Sequence, residues 1–563
     1  MPSSQPSSPA PFAAAAAEPQ VRRLHQSLLW PLRLMPVGDA PGAPRRPWEL
    51  LPPQGEASPW AELVDEYTGD AARFHERHYQ EFVTFLPFVQ RFLYGDGRRS
   101  GAKGDASAES GMKVFRRHDL KQLRVCCRAG DVPLVLDVMH VDLYFFFDID
   151  VVLLNVEVSA SDLSLHQAQD LLYRLGRAYP SGWDAAGLPL HSLASAEWLD
   201  GEGRVLAASD SLERERYIAH VHEHRAPRIA EHWAFVLRPL VVDYSDEPGP
   251  LRYRQIEYYR MPVMAFLALD EPKALSRSDF VRLGLVTAPA GVSDSGGLPF
   301  GDQHLQDFEA KFCYDRFWSD VGPAPNTRYL CSGHSLVVVG RAEATYFSCR
   351  DRGVLAQFRH QHFLIFLIAH FQKAALLMFS DRLVEALRRL NVQDAENVRR
   401  FKRAIRSSFE GFLRFSHRYW FHEVAEQAQS RALFRMCAKH LELDGLYAEV
   451  KERISDMSNY LETDSIRRQA NTVVRLTVVT IFGLVGTITT GFLGMNLLAE
   501  ADAPLSQRLL YFVAVFAVTV ALTVYTMVKS KRLSDFLDIL SDERVSAWTK
   551  LRAFAAVWRR GPD

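Results

Sequence analysis

The chain has 563 residues, with 66 Lys and Arg against 67 Asp and Glu, and 48% of its residues are apolar. That length exceeds one ordinary domain, and the near-balance of charge excludes a global basic field for nucleic acid. The apolar share is that of a water-soluble protein, so most of the chain lies outside any bilayer.

Residues 1–26 open with MPSSQPSSPAPFAAAAAEPQ and hold no basic residue before Arg22. They lack the charged start and long apolar core of a secretory signal and predict a disordered tail. Membrane insertion then depends on segments near the other end. Folded structure is expected from Ser27, where SLLWPLRLMPV reads as an edge strand interrupted by Pro31. A helix is expected over residues 60–94 and a polar loop over 95–112. Residues 120–128 and 134–158 are dense in Val, Leu and Phe and predict strands of a covered sheet. Asp148 and Asp150 within that run read as a strand end or turn, in preference to a cation-sensing pair.

Residues 163–179 predict a helix with Leu165, Ala168, Leu171, Leu172 and Leu175 close to one face. A basic, histidine-rich helix over 212–236 is broken at Pro227. Strands follow over 251–269 and 329–340, with a Gly- and Ser-rich loop at 286–303 between them. Strands interleaved with helices predict an α/β domain over 27–345, with insertions.

Helix formers dominate residues 346–472. Phe363–Ala369, FLIFLIA, is too short and too soon interrupted to span a bilayer, and reads as a buried helix. Residues 381–440 alternate charge with apolar positions as amphipathic helices do. Leu446, Val450, Ile454, Met457 and Leu461 form a narrow seam suited to helix association, and no Pro or Gly falls between Leu446 and Phe482. A helix from Leu446 to Met495 would run roughly 75 Å, a length typical of bundles. The six cysteines include no CxxC pair and read as reduced, mostly buried thiols.

Leu476–Met495 is a run of 20 uncharged residues, and Leu509–Val528 is a second. Each suffices to cross a roughly 30 Å hydrocarbon core. The predicted segments are a first membrane helix over 473–496, an external loop over 497–508, a second membrane helix over 509–528 and a basic, amphipathic tail over 529–563. Arg467, Arg468 and Arg475 precede the first span, and Lys529, Lys531 and Arg532 follow the second. By the positive-inside rule both termini are cytoplasmic, in a multi-pass protein of the cell inner or plasma membrane.

The first span ends in Gly494-Met495-Asn496. Two C-terminal spans joined by a short loop that opens on this tripeptide resemble the CorA family of divalent-cation channels. The resemblance is sharpest over residues 444–532. It implies an α+β membrane protein: a cytosolic α/β domain, a long helical stalk, two transmembrane helices and a funnel of five chains. It also implies that Gly494, Met495 and Asn496 form the selectivity filter. Mg²⁺ gives up its waters reluctantly, so a ring of neutral Asn496 carbonyls would hold a hydrated ion without trapping it. Family members commonly carry an aromatic before the glycine, where this chain has Leu493, and the loop LLAEADAP departs from their acidic pattern.

Stepping back along the helix from Gly494 gives Gly491, Thr487, Leu484, Thr480, Leu476 and Val473, the expected pore lining. Leu484, Leu476 and Val473 would supply apolar constrictions. The other reading of this stripe is a packing face in a non-conducting anchor. Glu500 and Asp502 would concentrate cations at the outer mouth, or belong to an ordinary solvated loop.

His360, His362 and His370 lack the i,i+4 spacing of a helical metal pair and read as structural. Asp456, Glu462 and Asp464 read as a solvated helix face rather than a regulatory cation site. No P-loop, Rossmann pattern or GxSxG elbow occurs, which argues against an enzyme. The expected function is a homopentameric channel for Mg²⁺, needing no cofactor. Its partners would be copies of itself, membrane lipid and divalent metal ions, with no nucleic acid. Zn²⁺, Ni²⁺ or Co²⁺ stay open as cargo, and a membrane-anchored regulatory scaffold is the alternative of another class.

Overall fold

The computed structural model describes residues 18–35, 46–51, 58–63, 82–95, 111–249, 251–257, 259–290, 298, 300–388, 390, 394–494, 504–507, 509–522 and 525. Most of the expected disordered tail, most of the 95–112 and 497–508 loops and the whole 529–563 tail lie outside them. The chain divides into two compact units, Met1–Glu452 and Arg453–Asp563.

The first unit is built on one large sheet. Its strands begin with β1 (Gln20–Met35), β2 (Trp60–Glu62), β3 (Met112–Arg117), β4 (Gln122–Cys126), β5 (Leu134–Phe146), β6 (Ile149–Ser164) and β7 (Ser195–Leu199). They continue with β8 (Val205–Ala208), β9 (Leu240–Val242), β10 (Leu251–Gln255), β11 (Val263–Leu269), β12 (Cys313–Tyr314), β13 (Arg328–Cys331) and β14 (Ser335–Arg341). The order is β12-β13-β14-β11-β1-β6-β5-β4-β7-β8, with β3 also beside β5, β2 beside β3, and β10 linking β1 to β9. Among the described residues only β9–β10 and β11–β14 pair in parallel. The unit is therefore α+β, not the expected α/β. Most of the antiparallel pairs join distant segments, such as β1 with β6 and β11; one is a local hairpin, where β5 turns into β6 at Asp148, which takes a left-handed φ of 61°. Asp148 thus occupies a turn, as its position suggested.

β1 is central, not an edge strand, and begins at Gln20 rather than Ser27. It pairs with β6 along one side, while β11 covers Val21–Leu28 and β10 covers Leu32–Met35 on the other. The Leu29 amide donates to Pro262 O at 2.9 Å, on the β11 side. Pro31 is two residues further on, so its missing N–H faces the gap where β11 gives way to β10. That is how a proline fits mid-sheet. The predicted helix over 60–94 is also corrected. Its start is β2, held because the Trp60 indole donates to Arg238 O at 2.7 Å. Its end is helix α1 (Pro87–Tyr94), and residues 64–81 lie outside the described set.

Helices cover both faces of the sheet. On one lies α2 (Leu165–Leu175), opened by a reciprocal Ser164–Gln167 cap. Its five predicted apolar residues are all buried, against Leu24 and Leu28 among others. It stops at Gly176, where a Cβ would meet Leu28 Cδ2 at 2.9 Å. The histidine-rich segment is broken into α3 (Arg214–His224) and α4 (Glu231–Leu237) around Pro227. After α5 (Arg277–Leu285) and α6 (Asp302–Phe312) comes α7 (Phe363–Arg388). α7 packs on the other face of β1 and β6. With its lead-in it is long and apolar enough to cross a membrane, but 78% of its most apolar stretch is buried. It is the core helix that FLIFLIA predicted. All six cysteines are free, and three of them are buried.

The layer between the sheet and α7 is partly polar. Arg33 pairs with Asp381 and Glu385 of α7, and Asp150 with Arg382. Glu157, deep in β6, receives both nitrogens of the Arg359 fork at 2.6 and 3.2 Å. Burial pushes the Glu157 carboxyl up, yet His25 alongside and the Arg359 charge outweigh it and hold it at about 2. Of these two neighbours Arg359 is the one hydrogen-bonded, since His25 Nδ1 stands off at 3.6 Å.

A carboxyl at about 2, against an ordinary 4.5, stabilises the fold fully above pH 4.5 and loses that contribution as pH falls through 2. Glu157→Gln should flatten acid unfolding across this window. At pH 7 it should cost about 2–4 kcal/mol, because the half-buried Arg359 loses its carboxylate and keeps only His140. Denaturant midpoints measured against pH check both. Phe371, fully buried, stacks on Phe146 with ring centroids 3.8 Å apart. Phe371→Ala should cost about 3–5 kcal/mol in the same assay.

Candidate functional site

The last helices carry the candidate site. α8 (Ala395–Arg418) and α9 (Ala428–His440) lead into α10 (Leu443–Gly494), a single helix of 52 residues. The expected stalk and first membrane helix are thus continuous. The seam residues Val450 and Ile454 are buried within the chain, Leu446 and Met457 are half-buried, and Leu461 lies outside the described side chains. α11 (Leu505–Leu522) follows, 18 residues with none of its apolar stretch buried.

The outer half of α10 and all of α11 present apolar side chains to the exterior. Leu476 is 67% exposed, Leu484 60%, Leu510 67% and Phe512 62%. A water-soluble monomer rarely exposes a contiguous surface of this kind. Two helices among the described residues are long and apolar enough to cross a membrane, the buried α7 with its lead-in and the exposed α11, and Thr472–Leu484 is a shorter apolar stretch.

The faces of α10 are distinct. Val478 and Gly486 are buried and Thr490 is half-buried. A Cβ on Gly486 would meet Thr519 Cγ2 of α11 at 2.7 Å, so this is the face that α11 covers. Val473, Leu476, Thr480, Leu484, Thr487 and Gly491 are all exposed. At 3.6 residues per turn they centre roughly 140° around the helix from the covered face. Of Gly483, Gly486 and Gly491 on this helix, Gly486 is crowded, whereas Gly483 and Gly491 have open space.

Threonine hydroxyls on α10 turn to their own backbone. Thr477, Thr480, Thr487 and Thr490 donate to Val473, Leu476, Gly483 and Gly486 O at 2.9, 2.8, 2.9 and 2.9 Å. This spares each hydroxyl the cost of lying unpaired in an apolar medium. Gly494 is the last residue of α10. Met495, Asn496, Glu500 and Asp502 lie outside the described residues, as do Lys529, Lys531 and Arg532.

Other predicted groups have ordinary surroundings. Asp148 faces Arg414 at 3.7 Å, and Asp150 pairs with Arg382. His370 bonds to Gly333 O at 3.0 Å, and His362 packs edge-on against Tyr329. Burial pushes their imidazoles down to about 3 and about 4. Asp456 is exposed, and the Glu462 and Asp464 side chains lie outside the described set. Among the described residues no three His, Cys, Asp or Glu side chains converge as a metal would require. A cleft that no expectation from sequence covered is lined by residues 417, 418 and 420–423, with others from α1. Its available signal was the run RFSHRYWFHE, where basic and aromatic residues alternate. Set against family models, curated proteins and solved structures, the chain matches none.

Gly486→Leu should drive α10 from α11, costing about 1–3 kcal/mol, whereas Gly483→Leu should be tolerated. Thermal unfolding of the full chain in detergent distinguishes the two.

Proposed function

We propose that this chain is a homo-oligomeric membrane channel for divalent cations, built like the CorA channels it resembles, with Mg²⁺ as the first choice of cargo. The observation that carries the reading is the exposed apolar surface of α10 and α11. Such a surface calls for lipid, further copies, or both. Two membrane helices cannot enclose an aqueous path, so conduction needs an assembly, and five copies is the family's number. α11 takes one side of α10, which leaves the Val473–Gly491 stripe for the axis of that assembly. The stripe would bring apolar rings at Val473, Leu476 and Leu484, then Gly494, Met495 and Asn496 at the outer mouth. Asn496 amides would hold a hydrated ion, with Glu500 and Asp502 raising local cation concentration. Arg475 and the basic residues flanking the spans support cytoplasmic termini.

A non-conducting anchor is the second reading, and one observation favours it. Thr480 and Thr487, on the stripe, satisfy their hydroxyls on their own backbone and need no water.

Reconstitution separates the readings. Liposomes holding the full chain should take up Mg²⁺ faster than empty ones, and Asn496→Ala should cut the flux about tenfold or more. Native mass measurement in detergent should give five chains. Zn²⁺ uptake without Mg²⁺ uptake would reassign the cargo. A monomer with no divalent flux would leave the anchor.

A further inference from the structure

The first unit carries a cleft of its own, far in sequence from the apolar stretches of α10 and α11. It opens between α1, Gly111 and the segment that follows α8, with a volume of about 840 Å³. That is the size of a small-molecule site. Its walls are aromatic: Phe88, 43% exposed, lies against Phe421 with centroids 5.6 Å apart. Trp420, half-buried, is held in place by stacking on Tyr447 at 4.4 Å, and its indole N–H donates to His422 Nε2 at 3.2 Å. These contacts fix the indole plane.

The charge on the cleft is positive. Arg418 lies over the Phe147 and Tyr419 rings at 5.2 and 5.6 Å, and among the described residues no carboxylate pairs with it. His417 beside it is exposed. The lining acid, Glu423, is already taken by Arg435 at 2.5 Å. A cation at the carbonyl end of a helix is favourable by itself. That alone would turn Arg418 to the last carbonyls of α8, whereas its guanidinium rests on ring faces beside the cleft.

We propose that this cleft binds a nucleotide, its base against Phe88 and Trp420 and its phosphates on Arg418. A flat π-surface and a cation without a carboxylate, side by side, select a ligand with both a ring and an anionic tail. The proposal rests on none of the observations behind the channel reading, so its failure leaves that reading intact.

Equilibrium dialysis of the full chain in detergent, with ATP, adenosine and tripolyphosphate as separate probes, tests it. ATP should bind saturably, with adenosine and tripolyphosphate each at least about tenfold weaker. Arg418→Gln should weaken ATP about tenfold and leave adenosine unchanged. Phe88→Ala, at an exposed position that does not hold the fold, should weaken ATP and adenosine alike. No saturable ATP binding overturns the proposal. So does tripolyphosphate binding as tightly as ATP, or ATP binding that neither substitution changes.

Discussion

Water cannot accommodate the far end of this chain as it stands. From Val473 through α11 the helices turn Leu, Ile, Val and Phe outward, with a cluster of large apolar residues more than half exposed. At about 25 cal/mol per Å² such a surface is a strong drive towards lipid or self-association. Every functional reading has to meet that constraint first. The threonines meet it in part, because their hydroxyls close on carbonyls four residues back and leave the helix surface apolar.

The first unit solves the opposite problem. It has an equally apolar helix, α7, and buries it against the sheet. Composition does not separate α7 from α11, since both are apolar enough to cross a bilayer. Their partners do. Sheet residues Arg33, Asp150 and Glu157 reach Asp381, Arg382 and Arg359, charges on α7 or its lead-in that would be costly in lipid. Ion pairs of this kind add little stability over apolar packing, but removing one partner is expensive. They therefore fix which face of α7 meets which strand.

Much of this was legible beforehand where one period dominates. The α2 face, the strand runs of 134–158 and 251–269, the break at Pro227 and the unbroken α10 all follow from spacing, caps and breakers. The misses are non-local. Pro31 marked β1 as an edge strand because nothing nearby in sequence shows that its neighbour changes from β11 to β10 at that residue. The α/β expectation failed because strand order depends on pairings between distant segments, and β1 meets residues from two later parts of the chain. Glu157 read as one acid in an apolar run, while its partner Arg359 lies 202 residues away. On α10, the sequence could propose a stripe, but only the contact of Gly486 with Thr519 separates the side facing α11 from the side left open.

That division of faces bears on what the hairpin is for. A helix whose only task is to anchor a domain needs apolar bulk all round. α10 instead meets α11 through a small residue and leaves, on the far side, a row in which Leu and Val alternate with Thr and Gly. Branched residues alone would suit lipid, and small residues alone would suit one tight helix pair. The mixture makes a surface uneven in bulk, full at Leu and Val and recessed at Thr and Gly, as the proposed path along an axis would need.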